Sequence, residues 1–556
     1  MIDDRPWVPV PTARGTHGAV VAPHHLASAA GLAMLRAGGS AVDAAIATNA
    51  VLGVVAPQSC GLGGDAFWLI WDAASRTQFA LNGSGRAASR VDAAALRASG
   101  DGTIPIRGPA AITVPGAVRS WADAHDRFGR LGAEVLLAPA IELAHDGVPV
   151  SARFARTVEL AAPVLETALG PDATVLAVMR PNGRRWRPGE RLRQPALAAT
   201  LERLASDGFA ALYDGELGER QAAGFAAADC PIRADDLASH TSTWTDPIAI
   251  DYRGVRVTTH PPNSSGVVAL QILSILGRFD PPPPTAFGRD GATDAAWIHL
   301  GIEASKLAYA DRDAHLTDPA FRKVPVDHLL DPAYADELAA RIDPHHAARP
   351  LAVTNPPGGG TVYLATVDAD GNAVSLIQSL YSNFGSGVLD PATGILYQNR
   401  GSYFSLDPDH ANALEPGKRT LHTLLPGMLF RDGVAAPWVV AGAAGGDAQP
   451  QIHALLVSAL VDGDTDITTA VAAPRWFVEP GQHFDPPVEV RIEPRLSPGI
   501  AAALDSLGHP VTAVEPFDGL LGNEHAIELV SGGPGSADGS LAATTDPRSN
   551  GLPAAW

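Results

Sequence analysis

The stretch that decides the fold runs from Gly358 to Ser379, GGG-TVYLATV-DADGN-AVSLIQS, with Pro356-Pro357 in front of it. From Val362 onward the residues read as the outgoing arm of a β-hairpin, and Ala373 to Ser379 as its return arm. Asp370-Gly371 is the turn signal between them, because both residues tolerate a positive φ. A two-residue loop at Asp370-Gly371 sets Thr361 opposite Leu380; a register one residue different sets it opposite Ser379. In both cases a hydroxyl of the return strand lies beside that of Thr361.

A threonine hydroxyl is a poor nucleophile until a base takes its proton. Cutting the Gly360–Thr361 bond would create that base on the same residue: a free α-amine titrates at roughly 7.7–8.0 and is partly neutral near pH 7. The glycines ahead of the bond leave the backbone free for the strained approach that self-cleavage needs. Taken alone, the stretch reads more simply as a Gly-rich loop entering an ordinary edge hairpin. The rest of the chain reverses that weighting.

The 556 residues are 46% hydrophobic, enough for a large core spread over several domains or one oversized folding unit. A net charge of −20, with no basic run carrying interleaved aromatics, argues against nucleic acid and anionic membrane surfaces as partners. Cys60 and Cys230 spell neither a disulfide framework nor a metal motif. His17, His24 and His25 fit no common ligand spacing and are expected to be structural, so no metal is expected, and no nucleotide or flavin motif calls for a cofactor. The N-terminal residues show no signal-peptide pattern and no apolar run is long enough to span a bilayer, so a cytoplasmic protein is expected.

In chain order, Gly18–Val21 reads as a strand, and Leu26–Ala37 as a helix stopped by Gly38-Gly39. Ser40 caps a second helix to about Val54, and Phe67–Trp71 is a buried strand behind the tight turn GLGGD. LNGSGR (Leu81–Arg86) is a polar turn and a candidate pocket loop. Val114–Ser151 holds two amphipathic helices, residues 152 to 245 are largely helical, and Ile248–Thr259 is a strand pair turning at Tyr252-Arg253-Gly254. Pro261–Leu276 is a loop entering a core helix, and a long helix follows the prolines at 281 to 284. Near the end of that helix, Asp311, Arg312 and Asp313 read as a capping and salt-bridge cluster. Residues 343 to 360 form an exposed connector open to cleavage. Beyond the hairpin, Arg400 and Tyr403 lie in ILYQNRGSYFS, and His422 and Thr423 precede a strand. A further strand ends at Gly445-Gly446, where a helix begins; consecutive glycines there offer backbone N–H groups to an oxyanion or carboxylate. The alternation of strands and helices points to a layered α/β assembly.

These pieces resemble the γ-glutamyltransferase family of N-terminal-nucleophile hydrolases over nearly the whole chain. The resemblance is carried by APHHLASAAGLAMLRAGGSAVDAAIA, GLGGD, VPGAVRSW, LLAPAIELAHDG, PPNSSG, SKLAYADRD, TVYLATVDADGNAV, AAGGDAQPQ and the terminal TTDPRSNG, in family order. It implies an α/β (α+β) fold, a four-layer αββα sandwich built as one unit from two interleaved subunits of a proenzyme. Residues 1–360 would form the large subunit and 361–556 the small one, with the cleavage site at Gly360–Thr361. The two would stay together as a heterodimer that can pair further. Thr361 matches the nucleophile, Ser379 the hydroxyl residue supporting it, and Gly445 and Gly446 the oxyanion pair.

The substrate pocket departs from the family pattern. The acid that holds a glutamyl α-amine is replaced by Tyr403, an asparagine by Tyr381 and a glutamine by Arg400. A serine pair becomes His422-Thr423, and an Arg-Glu motif becomes Ser84-Gly85, with Arg86 displaced. A buried ammonium without an anionic partner costs several kcal/mol, so γ-glutamyl recognition should weaken. What remains is a cationic, donor-rich pocket in which Arg400 suits a carboxylate. The pattern is most similar to the oxamate amidohydrolase branch. It implies a threonine amidohydrolase whose partner is a small-molecule amide, acting through an acyl-enzyme. A γ-glutamyltransferase or glutathione hydrolase is the alternative, and an unprocessed non-catalytic homologue a third reading.

Overall fold

The computed structural model describes residues 11–98, 102–348, 360–478 and 489–556. The connector at 349–359 therefore lies outside the described residues; residues 343–346 before it are exposed, and Gly360 after it is buried. The expected hairpin is present as strands Gly360–Val367 and Ala373–Tyr381, buried along their whole length. Thr361 pairs with Ser379, the second of the two registers. The turn is longer than a two-residue loop: Asp368 N–H donates to Asn372 O, leaving Ala369–Gly371 as the loop, with Gly371 at φ 83°. Asp368 closes it by accepting the N–H groups of Asp370 and Asn372 on Oδ1, a carboxylate-closed turn. Its Oδ2 also accepts Ala41 N–H, tying the hairpin tip to the start of helix Ala41–Val55.

The hairpin sits at the centre of a seven-stranded sheet. Its neighbours run, in order, Ala554–Ala555, Ala19–Val21, the hairpin, Asp65–Asp72, Thr77–Gly83 and Thr243–Thr245. Central strands covered on both faces are apolar throughout rather than alternating, and FWLIW in Asp65–Asp72 has that character. A second seven-stranded sheet runs Ala13–Gly15, Ser540–Thr545, Asn523–Val530, Val439–Ala444, Gly427–Arg431, Val255–Thr259 and Ile248–Tyr252. Both sheets thus mix strands from before and after Gly360.

The sheets face each other through Val21, Phe67, Tyr363 and Ile377 on one side and Met428, Val440, Ile527 and Leu529 on the other. Gly442 is required at the closest approach, since a Cβ there would stand 2.4 Å from the Tyr363 ring. Helices His25–Arg36, Ala41–Val55, Ala117–Phe128 and Ala133–Asp146 cover the outer face of the hairpin sheet. Ser40 starts the second of these with a reciprocal cap, its Oγ accepting Asp43 N–H while Asp43 accepts Ser40 N–H, an arrangement worth about 1 kcal/mol. Helices Gly266–Leu276, Ala295–His315 and Gln449–Val461 cover the other sheet. The result is the four-layer αββα sandwich. No helix among the described residues is long and apolar enough to cross a membrane.

The predicted strand pair turns at Arg253 (φ 52°) and Gly254 (φ 81°). Of the histidines near the N-terminus, His24 caps the first helix, its Nδ1 accepting Leu26 N–H, and its ring stacks on His25. The Asp311–Asp313 cluster holds the expected ion pair, Arg312 with Asp313 at 2.9 Å, and reaches beyond the helix end. Arg312 is only 2% exposed and reaches across the fold to Asp447, because the helix continues to His315 and turns this residue inward.

Candidate active site

The site gathers where the N-terminal end of strand Gly360–Val367 emerges from the sandwich. Thr361 is 6% exposed, and its Oγ lies 2.8 Å from Ser379 Oγ. Ser379 Oγ also donates to Gly360 O at 2.6 Å and accepts Tyr381 N–H at 2.7 Å. A hydroxyl has one proton to donate and two lone pairs. With its proton on Gly360 O, Ser379 must accept from both Tyr381 N–H and Thr361 O–H. A single side chain thereby draws on the proton of the Thr361 hydroxyl and polarises the carbonyl preceding it. The register shifts between Gly360 and Thr361, so Gly360 pairs with Tyr381. Tyr381 absorbs the irregularity at φ 74°, a conformation rare for a bulky residue.

Strand Val439–Ala444 crosses the hairpin and ends at Gly445-Gly446 (φ 162° and 55°), followed by helix Gln449–Val461. Its last residue, Ala444, pairs with Asn523, which shares a recess with Thr361, His24, Gln58 and Arg153. The glycine pair is therefore set at the same end of the sandwich as Thr361. Its N–H groups stand at the start of a helical turn, where backbone donors lack intrahelical partners.

Beside the hairpin's return arm lies the second cluster. Arg400 is 2% exposed, and its guanidinium stacks over the rings of Tyr381 (4.3 Å) and Tyr403 (4.9 Å), which meet edge to face. Arg400 Nη2 donates to Thr423 Oγ1 at 3.2 Å, while Nε and Nη1 are buried without a partner among the described residues. Burial pushes the Tyr381 and Tyr403 hydroxyls well above their ordinary range, so both stay protonated.

His422 departs from the expectation of a cationic substrate ligand. Its Nδ1 accepts Leu424 N–H, which places the proton on Nε2, and Nε2 lies 3.2 Å from Asp65 Oδ2. Both ring nitrogens are thus used within the protein, and burial holds the imidazole well below its ordinary pKa and neutral. The residue that occupies it, Asp65 of GLGGD, is itself fully buried, with Oδ1 accepting Gly85 N–H. Burial raises the Asp65 carboxyl to about 7, against the opposing pull of Arg400, the Gly85 and Gly116 N–H groups and Arg419.

Ser84 is a supporting residue: it donates to Asn82 Oδ1 and accepts from Asn263, while its carbonyl accepts from Arg419. Arg86 is not gathered with Arg400. Its guanidinium is engaged by Asp318 at 3.6 Å and by Gly417 O. The sequence reading missed Asp65 and Asp447 and gave Arg312 only a helix-end role. Asp447 directly follows the glycine pair; its Oδ1 accepts from Arg312 at 2.7 Å and its Oδ2 from the Tyr403 hydroxyl. Two of these are acids directly behind glycine pairs (GGD at Asp65 and at Asp447), which was the available signal.

Among the described residues, one group with metal-ligating side chains forms: His299, Glu303 and His509. Its atoms are satisfied internally. His299 bridges His509 and Asp343 O, while Glu303 holds Lys306 and Ala348 N–H. It thus fastens the segment entering the connector.

The family model of gamma-glutamyltranspeptidase matches residues 27–556. The oxamate amidohydrolase proenzyme of Klebsiella pneumoniae is 41% identical, over 97% of this chain and 99% of its own. The glutathione hydrolase-like YwrD proenzyme of Bacillus subtilis is 40% identical, over 97% and 98%. A crystal structure of cephalosporin acylase from Bacillus halodurans superposes with a TM-score of 0.88 at 38% identity, covering 100% of this chain and 99% of that one. With this fold, this hairpin and these relatives, the chain belongs to the gamma-glutamyltranspeptidase family of N-terminal-nucleophile hydrolases, made as two-subunit proenzymes and acting on C–N bonds.

Proposed function

We propose that the chain cuts itself before Thr361 and then hydrolyses a small carboxylate-bearing amide, with oxamate as the simplest substrate. The observation that carries the nucleophile assignment is the hydrogen-bond set of Ser379: it accepts the Thr361 O–H while donating to the carbonyl of Gly360. Attack of Thr361 Oγ on that carbonyl carbon converts the peptide to an ester, and water releases residues 1–360 from a new N-terminal Thr361.

In turnover the freed α-amine takes the Thr361 hydroxyl proton as Oγ attacks the substrate carbonyl. The Gly445 and Gly446 N–H groups receive the oxyanion. The C–N bond breaks, nitrogen takes the proton and leaves as ammonia, and water then resolves the acyl-enzyme. The substrate class follows from Arg400, a buried cation whose Nε and Nη1 N–H groups have no partner among the described residues and can donate to a carboxylate. Thr423, hydrogen-bonded to the same guanidinium, completes the wall. Position 403 carries a hydroxyl rather than an acid, and His422 is neutral and occupied, so the pocket favours an acid that lacks an α-amine.

The test is ammonia release by purified protein from oxamate and, separately, from L-glutamine. Release from oxamate alone is the expected outcome. Release from glutamine alone would assign the pocket to γ-glutamyl groups and overturn the substrate reading.

A further inference from the structure

The pocket does contain a carboxylate, although position 403 does not supply it. Asp447 is 7% exposed, and its Oδ2 meets the hydroxyl of Tyr403, whose ring also carries the Arg400 guanidinium. The charge of Asp447 is taken up from behind by Arg312, 2.7 Å from Oδ1. Arg312 reaches it from helix Ala295–His315 and is held on its other edge by Asp313 at 2.9 Å. Among the described residues no carboxylate forms an ion pair with Arg400, so the two buried arginines face opposite fates: one is neutralised, the other is left for a ligand.

We propose that Arg312 is a specificity-determining residue: by occupying Asp447 it withholds from the pocket a carboxylate that could hold a substrate ammonium. Without that charge, Arg400 and Asp447 would stand as a cation and an anion on either side of Tyr403. That pair is complementary to the zwitterionic head of an α-amino acid. The inference rests on the reading of the Arg400 cluster as the substrate site.

The experiment measures kcat/KM for L-glutamine and oxamate in wild type, Arg312→Gln and Arg312→Lys. The glutamine-to-oxamate ratio should rise about tenfold or more in Arg312→Gln and stay near the wild-type value in Arg312→Lys, which keeps the charge. A merely structural role would lower both activities together and leave the ratio where it was; that result overturns the inference. The double variant Arg312→Leu/Asp447→Asn removes the pair as a unit and avoids a lone buried carboxylate. Its ratio should match wild type, and a rise there would also overturn the inference, since the acid is gone. A wild-type enzyme that already prefers glutamine would instead overturn the reading of the pocket itself.

Discussion

Arg400→Met separates binding from stability. In most buried positions, truncating a charged side chain costs the fold 3–5 kcal/mol or so, because a partner is left unpaired. Arg400 differs, since its Nε and Nη1 have no partner to strand, and Nη2 meets only Thr423 Oγ1. Two unmet buried donors cost roughly 1–3 kcal/mol each, while stacking on two tyrosines returns roughly 1–2 kcal/mol per ring. These terms nearly cancel, so methionine, which fills much of the same volume, should leave the thermal midpoint unchanged or slightly higher. Substrate binding should respond very differently. Losing a desolvated guanidinium–carboxylate pair costs about 2–4 kcal/mol, which is roughly 30- to 900-fold in affinity. The assay pairs steady-state kinetics on oxamate with differential scanning calorimetry, with and without oxalate as a non-reacting ligand. Wild type should be stabilised by oxalate and Arg400→Met should not. An unchanged KM, or a variant that loses several kcal/mol of stability while binding oxalate normally, would refute the assignment of Arg400 to the ligand.

Three further outcomes are expected. Ser379→Ala removes the donor to Gly360 O and the acceptor for Thr361 O–H; processing should slow by about 10²- to 10³-fold on a denaturing-gel time course, and an undiminished rate would remove Ser379 from the mechanism. Asp65, raised to about 7 by burial, is neutral below that pH and offsets Arg400 above it. The oxalate inhibition constant should therefore fall as pH drops through 7, and Asp65→Asn should flatten the profile at the tighter value; an identical profile in the variant would refute the link. Because the folded value lies above the unfolded one of about 4, Asp65's contribution to stability is complete below pH 4 or so and is lost as pH rises through 7. Finally, Arg548, fully buried against Asp546 and Glu493, should cost about 3–5 kcal/mol when replaced by methionine. Chemical denaturation measures it, and a loss under 1 kcal/mol or so would show that the network tolerates an unpaired acid.

What the sequence disclosed depended on how far apart the interacting residues lie. The hairpin was legible because its two strand-forming arms and its turn signal are local. Its register stayed open by one residue because the loop is closed by the Asp368 side chain, so Ala369–Gly371 forms three residues where a two-residue turn was the simpler reading. The helix cap at Ser40 and the glycines at 445 and 446 were equally local. The pocket's charge was not. His422 looked cationic until its partner was known, and that partner, Asp65, is 357 positions away. Arg312 looked like a helix-end ion pair because nothing nearby in sequence names Asp447, 135 positions on. Such pairs are made by packing two sheets and two helical layers together, and no periodicity encodes them. Arg86 was placed near the pocket by its neighbours in the chain, whereas Asp318, brought in by the fold, holds it elsewhere.

The central claim is that Thr361 becomes a free N-terminus by its own action. Intact-mass analysis of the purified wild-type protein and of Thr361→Ala, prepared identically, tests it most directly. The account predicts two wild-type species divided between Gly360 and Thr361, and a single full-length chain for the variant. A Thr361→Ala protein divided at the same bond, or a wild-type protein that hydrolyses its substrate as one uncut chain, would contradict it.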